Sequence, residues 1–154
     1  MWRAHGASST GRSGWSGHWA RCPNSRYPPA ASGNAATASV LVDSDVLIDH
    51  LRLGIAVPVE AEAVAYSSIS RAELYAGRRT DEAVVDELLS AFEEVPLDRA
   101  IAEAGGRIRR RLGLSLPDSL IAATAVVRGM TLLTRNLRHF AEIPALTLYR
   151  ASGT

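Results

Sequence analysis

From Val40 onward, short apolar runs alternate with segments whose apolar residues recur at helical spacing, and this alternation constrains the fold most. Val40-Leu41-Val42 reads as a buried strand ending at Asp43. Asp45 to Leu53 reads as a helix with Leu47, Ile48 and Leu51 inward, stopped by Gly54. Val64 to Ile69 is a second strand, and Ser70 opens a helix through Tyr75 that Gly77 closes. Thr80 caps a helix whose stripe is Val84, Val85, Leu88, Leu89 and Phe92. Glu94 to Leu97 is a brief strand, followed by the stripe Leu97, Ile101, Ala104, Ile108 and Leu112. Ser115 precedes a helix from Pro117 to Arg128, apolar nearly all round and therefore central. Gly129 ends it, and Thr131-Leu132-Leu133 and Leu146-Thr147-Leu148 are the last strands. The expected class is α/β: a central, mostly parallel sheet of four to five strands, covered on both faces by right-handed crossovers.

Charge and cysteine content narrow the function. All 17 basic residues of the 154 are arginine, and lysine is absent. Residues 1–39 carry Arg3, Arg12, Arg21 and Arg26 and no acid, and read as a disordered Ser/Gly/Arg-rich extension. They contain no apolar core of the kind a secretory signal needs. The domain, 40–154, holds 13 Arg against 16 acids, a net of −3, so bulk charge does not make it a basic nucleic-acid module. Cys22 is the sole cysteine, which excludes a disulfide scaffold and a Cys-rich zinc site and makes a reducing cytoplasm the default compartment. No run approaches the ~20 apolar residues of a membrane span.

In parallel sheets the working site lies beyond the carboxyl ends of the strands. The polar residues there are Asp43 and Asp45 after the first strand, Glu73 after the second, and Thr134, Arg135 and Asn136 after the fourth. Asp118 begins the buried helix that leads into that strand. Converging carboxylates raise one another's pKa, and a divalent cation relieves them. An oxygen-only donor set favours Mg2+ or Mn2+ over zinc. A competing reading is local: Ser70-x-x-Glu73 and Ser115-x-x-Asp118 both fit a capping box, and Asp43 can cap the helix after it. The histidines are too scattered for a ligand pair, and His139 reads as a helix-end or surface residue.

Other motifs drop out. Asp43-Ser44-Asp45 begins like a calcium loop, but Ile48 stands where that loop needs Gly, and Gly54 where it needs Glu. It also resembles the nucleophile of haloacid-dehalogenase-type phosphatases, which normally use a downstream lysine. The missing lysine argues equally against receiver domains and excludes a P-loop. Gly105-Gly106 lies within a helix, so it is no dinucleotide loop. Arg107, Arg109, Arg110 and Arg111 could track a phosphate backbone, but a solvated helix face is the simpler reading.

Four segments together resemble PIN-domain nucleases, and more narrowly the VapC toxins of bacterial toxin–antitoxin pairs. They are Val40 to Ile48, Ser70 to Gly77, Pro117 to Ala123 and Leu133 to Phe140, in order, within a resemblance running from Val40 to about Tyr149. The resemblance implies a three-layer α/β/α fold and an Mg2+- or Mn2+-dependent endoribonuclease. Its metal-binding acids would be Asp43, Glu73 and Asp118, with Asn136 at a fourth position that is often Asp. It places Asp43 and Asp118 as direct ligands, with Glu73 acting through water. Asp45 would support the loop, and Thr134 would hold it or a phosphate oxygen. It further implies an RNA substrate, an inhibitory VapB-like antitoxin and a homodimer. Two rival readings are a metal-dependent phosphatase and a PIN-like protein that acts only by binding a partner.

Overall fold

The computed structural model describes residues 39–150 except 60 and 62. The extension expected over 1–39 therefore lies, but for Ser39, outside the described residues. Five short strands form one sheet: β1 (Val40–Val42), β2 (Val64–Ser67), β3 (Glu93–Val95), β4 (Thr131–Leu133) and β5 (Thr147–Leu148). Their order is β3-β2-β1-β4-β5, and every pairing is parallel. Val40 stands opposite Val64 on one side and Thr131 on the other. The chain steps outward from β1 to β3 in one direction, then crosses back to place β4 and β5 on the other side. Strand order thus reverses between β1 and β4, the position where an open α/β sheet leaves a crevice at its carboxyl edge.

The pleat divides the core in two. Val40 and Val42 face one side, where they meet Val46 and Leu47 of α1 (Ser44–Leu53), Leu74 of α2 (Ser68–Tyr75), and Val85, Leu88 and Leu89 of α3 (Glu82–Leu89). Leu41 faces the other side, against Ile101 of α4 (Arg99–Leu112), Ile121 of α5 (Leu116–Arg128) and Phe140 of α6 (Leu137–Phe140). The result is the expected three-layer α/β/α sandwich. Among the described residues no helix is long and apolar enough to cross a membrane.

Some local expectations need correction. β2 ends at Ser67, whose hydroxyl accepts from the Ile69 amide and caps α2 three residues earlier than Ser70 would have. Asp81, not Thr80, caps α3; the Thr80 hydroxyl instead donates to the Leu74 carbonyl. β3 begins one residue early and stops at Val95, because Asp98 takes the Ile101 amide and starts α4. Val84 and Leu97, placed on the inward stripes, are 48% and 43% exposed. The short helix α6 was not expected, and β5 excludes Leu146.

Helices α4 and α5 form a hairpin across residues 113–115, and the Gly pair in α4 is explained by it. A Cβ at Gly105 would lie 2.6 Å from Leu120 Cδ2 and 3.3 Å from Leu120 Cα, whereas one at Gly106 would meet nothing within 4 Å. Gly105→Ala is expected to cost about 1–3 kcal/mol through overpacking. Gly106→Ala should stabilise by about 0.5–1 kcal/mol, since alanine restricts the unfolded chain. Urea denaturation of both variants checks the opposite signs.

Candidate active site

Asp43 leaves the end of β1, where its backbone N–H donates to the Leu133 carbonyl at 2.9 Å and so ties it to β4. Its side chain starts α1 by accepting from the Ser44 amide at 2.7 Å. The residue is only 4% exposed. Burial is the largest cause that pushes its carboxyl up to about 7; Asp45 adds to this, and Asp118 contributes less. Hydrogen bonds from Thr134 and Ser44 oppose the rise. Asp43 therefore does cap a helix, but capping alone does not account for a carboxylate so desolvated and so surrounded by like charge.

The other acids arrive from separate elements. Glu73, from α2, accepts the Ser44 hydroxyl at 2.6 Å, and that same hydroxyl oxygen lies 3.3 Å from Asp43 Oδ1. One serine thus links the first two acids. Ser70 is fully buried inside α2, so the capping box proposed for Ser70 and Glu73 does not form. Asp118 sits in the first turn of α5. Its carboxylate accepts from the Ser115 hydroxyl at 2.7 Å, while that hydroxyl oxygen accepts the Asp118 amide at 3.1 Å and caps the helix. Ser115 is the cap, as the capping-box reading expects, and the Asp118 carboxylate returns a bond to its hydroxyl.

Asn136, exposed after β4, makes its side-chain contact with His139 rather than with one of the acids. Its Nδ2 is 2.8 Å from His139 Nδ1, and that ring nitrogen is 3.9 Å from Asp118 Oδ2. His139 is thus the exposed helix-end residue expected, and it stands next to Asp118. Its contact with Asn136 is local, three residues apart, whereas its approach to Asp118 joins two elements distant in sequence. Among the described residues no group of three or more His, Cys, Asp or Glu closes up as a preformed cage. The acids are coupled through Ser44 and through space.

The loop after β4 is anchored by Asp45, in keeping with its expected supporting role, and by an Arg135–Asp49 contact that the sequence did not suggest. Asp45 Oδ2 accepts the Arg135 amide at 3.1 Å and lies 3.4 Å from the Thr134 hydroxyl. Burial raises the Asp45 pKa, opposed by Arg135, and its Oδ1 is buried with no hydrogen-bond partner. Arg135 also places Nη1 2.6 Å from Asp49 Oδ2, an ion contact rather than an aligned hydrogen bond. Asp49 is buried and Arg135 is partly solvated, so Arg135→Ala is expected to cost about 1–2 kcal/mol, less than the loss of a fully buried pair. The double variant D49N/R135A should recover most of that loss in urea denaturation, because no carboxylate is then stranded.

Comparison with known proteins fits this geometry. The PIN domain family matches residues 40–146. Ribonuclease VapC19 of Mycobacterium tuberculosis is 39% identical over 119 residues, covering 69% of this chain and 95% of the relative. A toxin–antitoxin complex from Klebsiella pneumoniae contains a chain 30% identical to this one, with a TM-score of 0.58 and coverage of 70% and 95% of the two chains. The crystal structure of VapBC2 from Rickettsia felis, bound to a DNA fragment from its promoter, shares the fold at 21% identity and a TM-score of 0.61, covering 72% of this chain and 97% of that one.

Proposed function

The chain belongs to the PIN domain family, and from that premise we propose that it is a metal-dependent ribonuclease, the toxin of a toxin–antitoxin pair. The observation that carries this reading is the placement of Asp43. It is buried at the end of β1 beside the reversal of strand order, joined to Glu73 through Ser44 and facing the charge of Asp118. The donors suit a hard divalent cation, because all are carboxylate oxygens and the most buried one is costly to ionise without positive charge nearby. Asp43 and Asp118 would hold Mg2+ or Mn2+ directly, and Glu73 would do so through water. When bound, such an ion lowers the pKa of a coordinated water and neutralises charge developing on the phosphodiester.

The chain's own residues supply position. Ser44 fixes the Glu73 carboxylate, which can orient a water in line with the scissile phosphorus. Asp45, in the first turn of α1, holds Thr134 and the Arg135 amide of the loop after β4. Asn136 acts on the site through His139, as an orienting amide rather than as a fourth charge. The silent, purely binding alternative rests on that missing fourth acid; the link of Asp43 to Glu73 through Ser44 and the charge of Asp118 felt at Asp43 support the catalytic reading instead.

The partner we propose is a small antitoxin, in line with the toxin–antitoxin complexes among the similar structures. Leu116 and Leu137 are 51% and 39% exposed and flank Asp118 and Asn136 in the chain, which gives an apolar rim to an acidic site. A helix with an apolar face and a basic residue fits that rim. Self-association as a homodimer and a cytoplasmic location belong to the same proposal. Incubating the purified full chain with RNA and Mg2+ tests its core. Cleavage should stop with EDTA and return with excess Mg2+ or Mn2+, and EDTA-resistant cleavage would refute the metal-dependent reading.

A further inference from the structure

Helix α2 carries Glu73, yet its apolar grip on the core is slight. Of its eight residues only Ser70 and Leu74 are buried, and the Ser70 hydroxyl has no hydrogen-bond partner among the described residues. A helix of about two turns has little stability of its own. One leucine seats it against the sheet but does not fix its rotation about its own axis. The direction of the Glu73 carboxylate depends on that rotation.

A polar face supplies the missing constraint. Ser68, Arg71 and Tyr75 stand at i, i+3 and i+7, the spacing of one helix face. The Ser68 hydroxyl oxygen accepts the Leu97 amide at 3.1 Å, just beyond β3. Arg71 donates from Nε to Glu94 Oε2 of β3 at 2.9 Å, from Nη1 to Asp86 Oδ1 of α3 at 2.9 Å, and from Nη2 to the Tyr66 hydroxyl of β2 at 2.6 Å. The Tyr66 hydroxyl donates in turn to Glu94 Oε2 at 2.7 Å, and the Tyr75 hydroxyl donates to Asp86 Oδ1 at 2.6 Å. The guanidinium also lies 5.6 Å and 5.9 Å from the ring centres of Tyr66 and Tyr75. Each ion pair is partly solvated and weak taken singly. A planar guanidinium bonded to three elements at once is a geometric constraint, because its donors leave in fixed directions. Glu73 is two positions further on, about 200° round the helix. On that side it accepts the Ser44 hydroxyl of α1 at 2.6 Å. We propose that Arg71 is a positioning residue for Glu73: by locking the rotation of α2 against β2, β3 and α3, it holds the Glu73 carboxylate on Ser44 and so linked to Asp43. This deepens the ribonuclease reading and rests on it for what Glu73 does.

The test is a double-mutant cycle on the full chain, read as cleavage of an RNA oligonucleotide in Mg2+ below the melting temperature of every variant. Slow variants are assayed with enzyme in excess. R71A should lower kcat about 10–100-fold, the cost of a small misplacement, while KM stays within about twofold. In an E73Q background the same change should cost less than about twofold, because no carboxylate is left to aim. R71K keeps the charge and the stem, and so covers the case in which R71A does not fold. It should show the same pattern at smaller size, since an ammonium lacks the fixed fork. An equal loss of kcat with and without Glu73 would make the network merely structural and overturn the inference. A raised KM at unchanged kcat would overturn it too, and put Arg71 on the RNA. Full activity in folded R71A would refute it while leaving the ribonuclease reading intact. Absence of cleavage by the unmodified chain would sink that reading, and the inference with it.

Discussion

Asp43→Asn is expected to reduce RNA cleavage by about 10²–10³-fold, the scale seen when one transition-state contact is removed, while making the metal-free fold more stable. The two effects share one cause. Asp43 is nearly inaccessible, and burial together with Asp45 and Asp118 pushes its carboxyl up to about 7. A carboxyl raised in the folded state binds more protons there than in the unfolded chain, so its contribution to stability falls as pH rises from about 4 through 7. Above that window the fold carries the whole cost of the buried charge, and a neutral isostere removes it. The gain should be about 1–3 kcal/mol at pH 8 in EDTA. Asparagine can still accept from the Ser44 amide, so the start of α1 survives. Cleavage assays and chemical denaturation on one preparation read both signs. A destabilised Asp43→Asn with normal cleavage would mean that Asp43 serves only as a helix cap.

Asp118→Asn separates the same alternatives on the facing element. The cap of α5 is the Ser115 hydroxyl, and the carboxylate only returns a bond to that hydroxyl. Asparagine can accept that bond as well, so the stability change should stay within about 1 kcal/mol. Cleavage, by contrast, should fall about as far as for Asp43→Asn, because a direct oxygen ligand has lost its charge. The measurement is cleavage rate against Mg2+ concentration for a variant with an unchanged melting curve. A rate within twofold of the unmodified chain would remove Asp118 from the site.

The sequence carried most of this arrangement, and the exceptions have physical causes. Apolar runs such as Val40-Leu41-Val42 can lie only in a sheet covered on both faces, and the acids directly after them had to fall at its carboxyl edge. Helix starts were less legible. Ser67 and Ser70 are chemically equal as caps, and only the tertiary path of β2 selects the first. Val84 and Leu97 satisfy helical spacing yet stay exposed, since spacing does not reveal where a stripe ends. The contacts of Arg135 with Asp49 and of His139 with Asn136 and Asp118 were hidden for a different reason. Those with Asp49 and Asp118 join elements far apart in sequence, which no local pattern encodes, although the Asn136 contact itself is three residues apart. Ser44 is a similar case: it bridges Asp43 to Glu73, which lies 29 residues away in the sequence.

The central claim is that these acids form a divalent-metal site, and direct metal binding tests it without depending on RNA. Mn2+ titrated into the full chain, with free ion followed by electron paramagnetic resonance, should show saturable binding that Mg2+ competes away. Binding should weaken at least 10-fold in both Asp43→Asn and Asp118→Asn, with each variant folded. Equal Mn2+ affinity in the unmodified chain and both variants would contradict the account.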